Sequence, residues 1–190
     1  MFFYDKIVIG KYMKKCQHKK VNINQYRIIP FEDNTFLNVI FSYFLYKAPS
    51  ISSSFSEEID FNDDKLFKEF IDINRFKSII FIKKNSKKVY IEHDLSGDYI
   101  CMRCMRMIIT RSINYEDHQL ESYLECVLRH IRNSIAHGLV YYMFENKRHY
   151  LMFEDVNLSG NISARIIVNR QTLINLKSKL IKYQSSQGEL

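Results

Sequence analysis

Apolar residues repeat at helical spacing through residues 116–137, and this pattern constrains the fold more than any other in the chain. They form one stripe, followed closely by Gly138: Leu120, Leu124, Val127, Leu128, Ile131 and Ile135. Such a stripe predicts an amphipathic helix that buries one face. Glycine commonly follows the last residue of a helix because it adopts the left-handed conformation without a steric penalty. We therefore predict a helix from Glu116 to about His137.

After Gly138 the apolar period changes from that of a helix to that of strands. The β-prone runs Tyr141–Phe144 and Tyr150–Phe153 flank a polar turn and predict a hairpin. Ala164–Val168 predicts a third strand. A closing helix is predicted by Leu173, Leu176, Leu180 and Ile181.

Upstream of residue 116, helical spacing predicts three further helices. They cover Glu32–Tyr46, Asp63–Asn74 and a segment from Ser96–Asp98 to Arg111. Residues 78–91 fit either a β-hairpin or a helix end with a loop. Residues 1–29 have no firm assignment, although 7–9 suit a short strand or a helix start.

Composition favours helices over a many-stranded sandwich. The 190 residues contain 5 Gly and 2 Pro, so turns should be few and regular elements many. The length suits one domain covering residues 1–190, with N-terminal helices and a basic hairpin or loop in 1–95 and the long helix, hairpin and closing helix in 96–183. We predict a mainly α fold, an antiparallel helical bundle with a small β insertion of two or three strands.

The charge balance is basic and the basic residues are clustered. Lys and Arg number 28 against 21 Asp and Glu, which gives a formal net charge of +7. Nucleic acid or an acidic membrane surface would attract such a chain, although the charge also serves solubility. Asp5 and Lys6 interrupt the apolar start, and no apolar run reaches the ~20 residues of a membrane span. We therefore expect a cytoplasmic protein with no membrane association.

Four cysteines are present, and two of them form a C-x-x-C spacing. Cys101 and Cys104 fall in the helical pattern of residues 96–111, whereas Cys16 and Cys126 stand alone. A zinc site requires a second closely spaced pair of Cys or His. We expect Cys101 and Cys104 to be small core residues, with no metal and no cofactor.

The end of the predicted 116–137 helix carries residues suited to phosphodiester chemistry. Arg132 offers a planar fork of donors for phosphate, and His137 transfers protons near neutral pH. An ordinary solvated helix end is the alternative, since cations favour the C-terminal end of the helix dipole. At 100° per residue, His137 shares a polar face with Asn133 and His130, whereas Arg132 lies about 140° away.

RNA cleavage by the 2′-hydroxyl needs a base, an acid and positive charge on the phosphate. One histidine and one arginine that point apart do not supply this set. A two-fold dimer doubles them around one cleft, because its interface repeats the same surface patch. Either the helix bends, or a second chain supplies the complementary group, and we expect a complete site to need two chains.

Arg132, Asn133 and His137 resemble the HEPN superfamily motif, an Arg with a following polar residue and a His after four to six intervening residues. The resemblance covers roughly residues 97–183 and implies an α-helical bundle that dimerises through the motif helices. It also implies cleavage of RNA without metal, leaving 2′,3′-cyclic phosphate ends. It implies that His137 transfers protons, that Arg132 binds phosphate and stabilises the transition state, and that Asn133 orients the site or binds the phosphate.

The same helix offers three further candidates for RNA binding: Arg129, His130 and Ser134. Arg129 is equally suited to an ion pair with a nearby glutamate, and His130 to the protein surface. Members of this superfamily include toxins and antiviral effectors, often restrained by a nucleotidyltransferase-like antitoxin. A non-catalytic RNA- or nucleotide-binding adaptor and a structural protein with an incidental basic surface are the competing functions.

Overall fold

A seven-stranded sheet forms the centre of the molecule. A computed structural model describes residues 8–9, 16–33, 35–48, 64–74, 76–83, 97–112 and 121–187. Within these ranges the strands are β1 (Val8–Ile9), β2 (Val21–Asn22), β3 (Arg27–Ile28), β4 (Ser78–Lys83), β5 (Tyr99–Ile100), β6 (Arg106–Arg111), β7 (Val140–Glu145), β8 (Arg148–Val156) and β9 (Ile162–Asn169).

The large sheet has the order β1-β4-β6-β9-β8-β7-β3, and β2 and β5 form a separate antiparallel pair. The β4–β6 pair is parallel, whereas the other neighbours in the large sheet are antiparallel. The hairpin between β7 and β8 turns at Asn146 and Lys147, whose φ angles are 50° and 60°. Both values lie in the left-handed region of a type I′ turn, which matches the twist of the two strands.

Helices cover one face of the sheet. They are α1 (Asn38–Ser42), which continues as a π-helix at Tyr43–Lys47, α2 (Asp64–Asn74), α3 (Tyr123–Ala136) and α4 (Arg170–Gln187). α3 packs against β6, β8, α2 and the π-helix. Consequently the helix that carries the motif is covered along its length, and its described residues become exposed only at the C-terminal end, at Ala136 and His137.

The opposite face of the sheet carries a second layer. A short 3₁₀ helix (Ile23–Tyr26), the β2–β5 pair and the 101–104 loop cover it, and Ile23, Ile100 and Met102 are buried there. Residues of β8 alternate between the faces, with Leu151 and Phe153 toward the helices and Met152 toward the second layer. The sheet is therefore apolar on both sides.

The predicted mainly α bundle is wrong. About 44% of the described residues are helical and about 31% are in strands, and the sheet is the central layer rather than an insertion. Strands buried on both faces have nearly continuous apolar runs instead of strict alternation, so periodicity does not separate them from buried helices. The scarcity of Gly and Pro also led to the wrong fold class. It was interpreted as evidence for helices, but the described part of this sheet uses few tight turns.

The predicted helix from Ser96–Asp98 to Arg111 is also wrong, since this segment forms β5, a turn and β6. Cys104, Met107 and Ile108 lie at helical spacing, but Met107 faces the helices and Ile108 faces the second layer. Tertiary pairing of β6 with β4 and β9 decides its conformation.

Other expectations are confirmed with shifted bounds. The 32–46 and 63–74 helices, the hairpin, the third strand and the closing helix are present. In the first of these helices Phe36 and Val39 are exposed, whereas Leu37 and Phe41 are buried. Residues 84–96 lie outside the described ranges. They include most of residues 78–91, for which either a hairpin or a helix end with a loop was predicted. No helix in the described ranges is long and apolar enough to cross a membrane.

Candidate functional site

α3 has well-formed ends that position the motif. Ser122 caps its start and Glu125 completes a capping box, so the helix begins later than the predicted Glu116. Residues 113–120, including Leu120 of the predicted stripe, lie outside the described ranges. His137 is the C-cap, and Gly138 follows with φ of 63°, which confirms the predicted end of the helix.

Two residues on the polar side of α3, His130 and Asn133, contact the sheet. His130 Nδ1 lies 2.6 Å from Asp155 Oδ2 on β8, and Asn133 Nδ2 donates to the same oxygen at 3.1 Å. His130 is 1% exposed and Asp155 is 4% exposed. A carboxylate only accepts, so His130 carries a proton on Nδ1 in this contact. Asp155 thus anchors two polar residues of the motif helix.

The other nitrogen of His130 has two neighbours. Nε2 lies 2.9 Å from the Thr110 carbonyl oxygen and 3.0 Å from Arg129 Nη2. It donates to Thr110 when protonated, and accepts from Arg129 when neutral. Burial opposes the charge of Asp155, but the hydrogen bond and charge of His130, together with Asn133, hold the pKa of Asp155 below its ordinary value. This network joins α3 to β6 and β8.

All three residues predicted to bind RNA have internal partners. Ser134 is buried, and its hydroxyl donates to the His130 carbonyl oxygen at 2.7 Å. Arg129 forms an ion pair with Glu121 at 2.6 Å, which is one of the two roles predicted for it. His130 contacts Asp155 and Thr110, and its burial excludes the interpretation that it is a surface histidine. RNA binding by these three residues therefore remains a prediction that this conformation does not favour.

Arg132 points toward the helical layer. Its Nη2 donates to the Ala48 carbonyl oxygen at 2.9 Å, directly after the π-helix. Its Nε is buried and has no hydrogen-bond partner among the described residues. Burial lowers the pKa of the guanidinium from its ordinary value. Nη2 of this arginine is thus used within the fold, whereas its Nε–H donor has no partner among the described residues.

His137 is the exposed member of the motif. Its position as C-cap places the imidazole at the end of α3, where the chain turns toward β7. The exposed Arg27 on β3 donates from Nε to the Gly138 carbonyl oxygen at 3.1 Å, which brings a guanidinium to the same end of the helix. No local pattern predicts a role for Arg27, because its proximity to the helix end depends on the pairing of β3 with β7.

A basic cleft of about 440 Å³ lies at the other end of β7, beside the hairpin turn. Its cationic lining comes from separate segments of the chain: Lys77, Arg103, Lys147, Arg148 and Arg170. His149 also lines it, and its ring stacks on the 58% exposed Phe144 at a centroid distance of 4.7 Å. Positive charge beside exposed aromatic rings is typical of surfaces that bind single-stranded nucleic acid.

Three cysteines and one histidine meet beside this cleft. Cys16 and His18 approach Cys101 and Cys104, and the four candidate ligand atoms lie within 4.8 Å of one another. Cys101 and Cys104 are buried as expected, but Cys16 does not stand alone, so the expectation of no metal site overlooked this cluster. Partial burial opposes ionisation of Cys16, but hydrogen bonds from Cys104, Cys101 and His18 lower its pKa to about 6.

The comparisons with known proteins assign the family. A family model described as HEPN pEK499 p136 matches residues 3–189. Searches of curated proteins and of solved structures find no match. HEPN domains are generally associated with RNase and other RNA-related functions. Nearly the whole chain is matched, including the motif at the end of α3 and the sheet that supports it, and the chain therefore belongs to the HEPN family.

Proposed function

We propose that this chain is an endoribonuclease that cleaves RNA through the 2′-hydroxyl, without a catalytic metal ion. The observation that carries the proposal is the exposure of His137 at the end of α3, next to Arg27 and one helical turn beyond Asn133. An exposed imidazole can accept the 2′-hydroxyl proton or donate a proton to the leaving oxygen. The new O–P bond closes the 2′,3′-cyclic phosphate as the bond to the 5′-oxygen breaks.

Arg132 supports a site built from two chains. Within one chain it donates to Ala48, on the side of α3 that faces the π-helix, whereas His137 is exposed at the helix end. A two-fold contact at the exposed ends of two α3 helices would bring both arginines and both histidines to one cleft. Because the remainder of α3 is covered, the contact would involve its C-terminal end and not a helix-long seam.

The basic cleft supports RNA as the substrate. Six residues of β7 separate it from the motif end of α3, a distance of about 20 Å at the rise of a strand. Lys77, Arg148 and Arg170 at the cleft would hold backbone phosphates, and the rings of Phe144 and His149 would stack on bases. The cleft would therefore bind RNA while cleavage takes place at His137.

The decisive experiment is an RNase assay on purified protein with single-stranded RNA in EDTA. Wild type is expected to produce fragments with 2′,3′-cyclic phosphate ends, and His137→Ala is expected to produce none. Lys179→Ala is the control, since Lys179 pairs with Glu69 on the surface and lies in neither the motif nor the cleft. Equal cleavage by His137→Ala and wild type would overturn the assignment of His137.

A mixing experiment tests the shared site. His137→Ala and Arg132→Ala are expected to be inactive alone but to recover cleavage when mixed, because a mixed dimer retains one of each group. Size-exclusion chromatography with light scattering checks that dimers form, and differently tagged chains check that subunits exchange. No recovery in verified mixed dimers would contradict a site shared between chains.

The commitment of Arg132 to Ala48 favours a second candidate, an RNA-binding adaptor that does not cut. Such a protein would retain RNA at low salt and leave it intact under all tested conditions. In the cell, the nuclease proposal implies a toxin or antiviral effector. Expression of wild type, but not of His137→Ala, should then arrest growth unless an antitoxin is co-expressed.

A further inference from the structure

Two segments that are distant in sequence bring four metal-binding side chains to one point. Cys16 and His18 precede β2, and Cys101 and Cys104 occupy the loop between β5 and β6. His18 and Cys104 are 86 positions apart, yet His18 Nδ1 lies 3.3 Å from Cys104 Sγ. The C-x-H and C-x-x-C spacings each place two candidate ligands on one short segment, and C-x-x-C is a common ligand spacing in structural zinc sites.

The distances among the four atoms suit a tetrahedral ion. Cys16 Sγ lies 3.2 Å from Cys104 Sγ and 3.6 Å from His18 Nδ1, and Cys101 Sγ lies 3.8 Å from His18 Nδ1. Tetrahedral zinc with bonds of about 2.3 Å to sulfur and about 2.1 Å to nitrogen separates its ligands by about 3.6–3.8 Å. Small movements of the side chains would therefore complete the geometry.

We propose that Cys16, His18, Cys101 and Cys104 bind one Zn²⁺ ion with a structural role. Three thiolates and one imidazole form a common closed zinc site, and four protein ligands leave no open position for substrate. Thiolate ligands favour zinc over magnesium or calcium, which take oxygen ligands. Binding releases to solvent whichever protons the three thiols carry.

The competing arrangement is a disulfide between Cys16 and Cys104. Their sulfurs are 3.2 Å apart, whereas a disulfide requires about 2.05 Å. A disulfide would leave Cys101 and His18 without a role, although His18 lies within 3.8 Å of all three sulfurs. Zinc accounts for the convergence of all four groups.

The position of the ion explains what it would stabilise. The buried Met102 lies between two of the ligands and belongs to the layer that covers the second face of the sheet. Arg103, also between them, lines the basic cleft and pairs with Glu145 through Nε at 2.6 Å. The ion would therefore hold residues 16–18 against the 101–104 loop and fix one wall of the cleft.

The first test measures metal in the full-length wild-type protein. Protein purified without chelators from zinc-supplemented medium should contain about one zinc per chain by elemental analysis, and native mass spectrometry should show the matching mass increase. Replacement by Co²⁺ should produce the visible absorption of a tetrahedral thiolate site. A zinc-free folded protein that takes up neither ion overturns the proposal, as does a Cys16–Cys104 disulfide found by alkylation and peptide mapping.

Variants identify the ligands. Cys101→Ser and Cys104→Ser should each lose most of the bound zinc. Cys126→Ser should retain it, because Cys126 is buried elsewhere and donates to the Thr110 carbonyl oxygen. Equal zinc in all three variants overturns the ligand assignment. The wild-type measurement keeps the proposal falsifiable if a ligand variant does not fold, and neither measurement depends on RNase activity.

Discussion

The imidazole of His130 and the carboxylate of Asp155 are 2.6 Å apart and nearly inaccessible to solvent, and they join the motif helix to the central sheet. The same carboxylate accepts from Asn133. Asn133 therefore acts in the free chain as an anchor for α3. Any hydrogen bond from Asn133 to phosphate would have to use the second hydrogen of Nδ2, or follow release of Asp155.

Replacement of Asp155 should destabilise the fold. Asp155→Asn removes the charge that His130 and Asn133 share, and we expect the free energy of unfolding to fall by about 2 kcal/mol. Urea denaturation at pH 7 measures the change. Glu69→Gln is the control, because Glu69 pairs with Lys179 at the exposed surface, where ion pairs contribute little. Equal effects of the two substitutions would contradict the importance of the buried pair.

The same carboxylate predicts acid sensitivity. Its pKa in the folded protein is below the ordinary value of 3.8, so its contribution to stability is complete above pH 3.8 and is lost as the pH falls through the folded pKa. The free energy of unfolding of wild type should fall more steeply below pH 3.8 than that of Asp155→Asn. Denaturation at a series of pH values measures both slopes, and parallel curves would rule out this contribution.

Substitutions of Arg132 and of His137 should differ in their effect on the stability of the fold. Arg132→Ala removes the donor to the Ala48 carbonyl and should lower the free energy of unfolding by about 1–2 kcal/mol. His137→Ala affects an exposed helix end and should change it by less than about 0.5 kcal/mol. Thermal denaturation of both variants tests this difference. A large loss for His137→Ala would show that the imidazole has a structural partner.

The hairpin turn offers a stabilising substitution. Lys147 has a φ of 60°, where a side chain is strained and glycine is not, and Asn followed by Gly is the preferred pair for a type I′ turn. Lys147→Gly should therefore raise the free energy of unfolding by about 0.5–1 kcal/mol. Lys147→Ala, which keeps a Cβ, is the matched control and should not be stabilising. The melting temperatures of the two variants test this prediction: Lys147→Gly should melt above wild type and Lys147→Ala should not.

Removal of cleft charge should weaken RNA binding and its salt dependence. Lys77→Ala and Arg148→Ala each remove an exposed cation from the lining. If each contacts one phosphate, the slope of log affinity against log salt should decrease in magnitude by about 0.7 for single-stranded RNA. Binding at several salt concentrations with a non-cleavable RNA measures this, with Lys179→Ala as the charge-matched control. Unchanged slopes would exclude the cleft from RNA binding.

Local pattern was sufficient where an element has one buried face or a distinct end. The stripe on α3 with Gly138 after it, the Asn146–Lys147 hairpin and the α2 helix were all predictable from residues near in sequence. Helix periodicity and turn chemistry act over a few residues, so a single sequence records them. The motif Arg132–Asn133–His137 was visible for the same reason.

Pattern failed where burial on two faces or pairing across the chain decided the outcome. β6 has apolar residues toward both layers, so its spacing also fits a helix, and only its partners β4 and β9 make it a strand. Helical spacing placed His130, Asn133 and His137 on one polar face of α3, but it did not predict that Asp155 on β8 contacts His130 and Asn133. A helical wheel assigns residues to sides of a helix and contains no information about what packs there.

The sequence by itself determined the motif, its helix, the strands after it and the family, because these depend on short-range spacing. Only the tertiary structure decided that Arg132 binds Ala48, that Arg27 lies beside Gly138, and that Cys16 and His18 meet Cys101 and Cys104. Each of these contacts joins segments separated by more than 80 positions, and the folding of the central sheet is what brings them together.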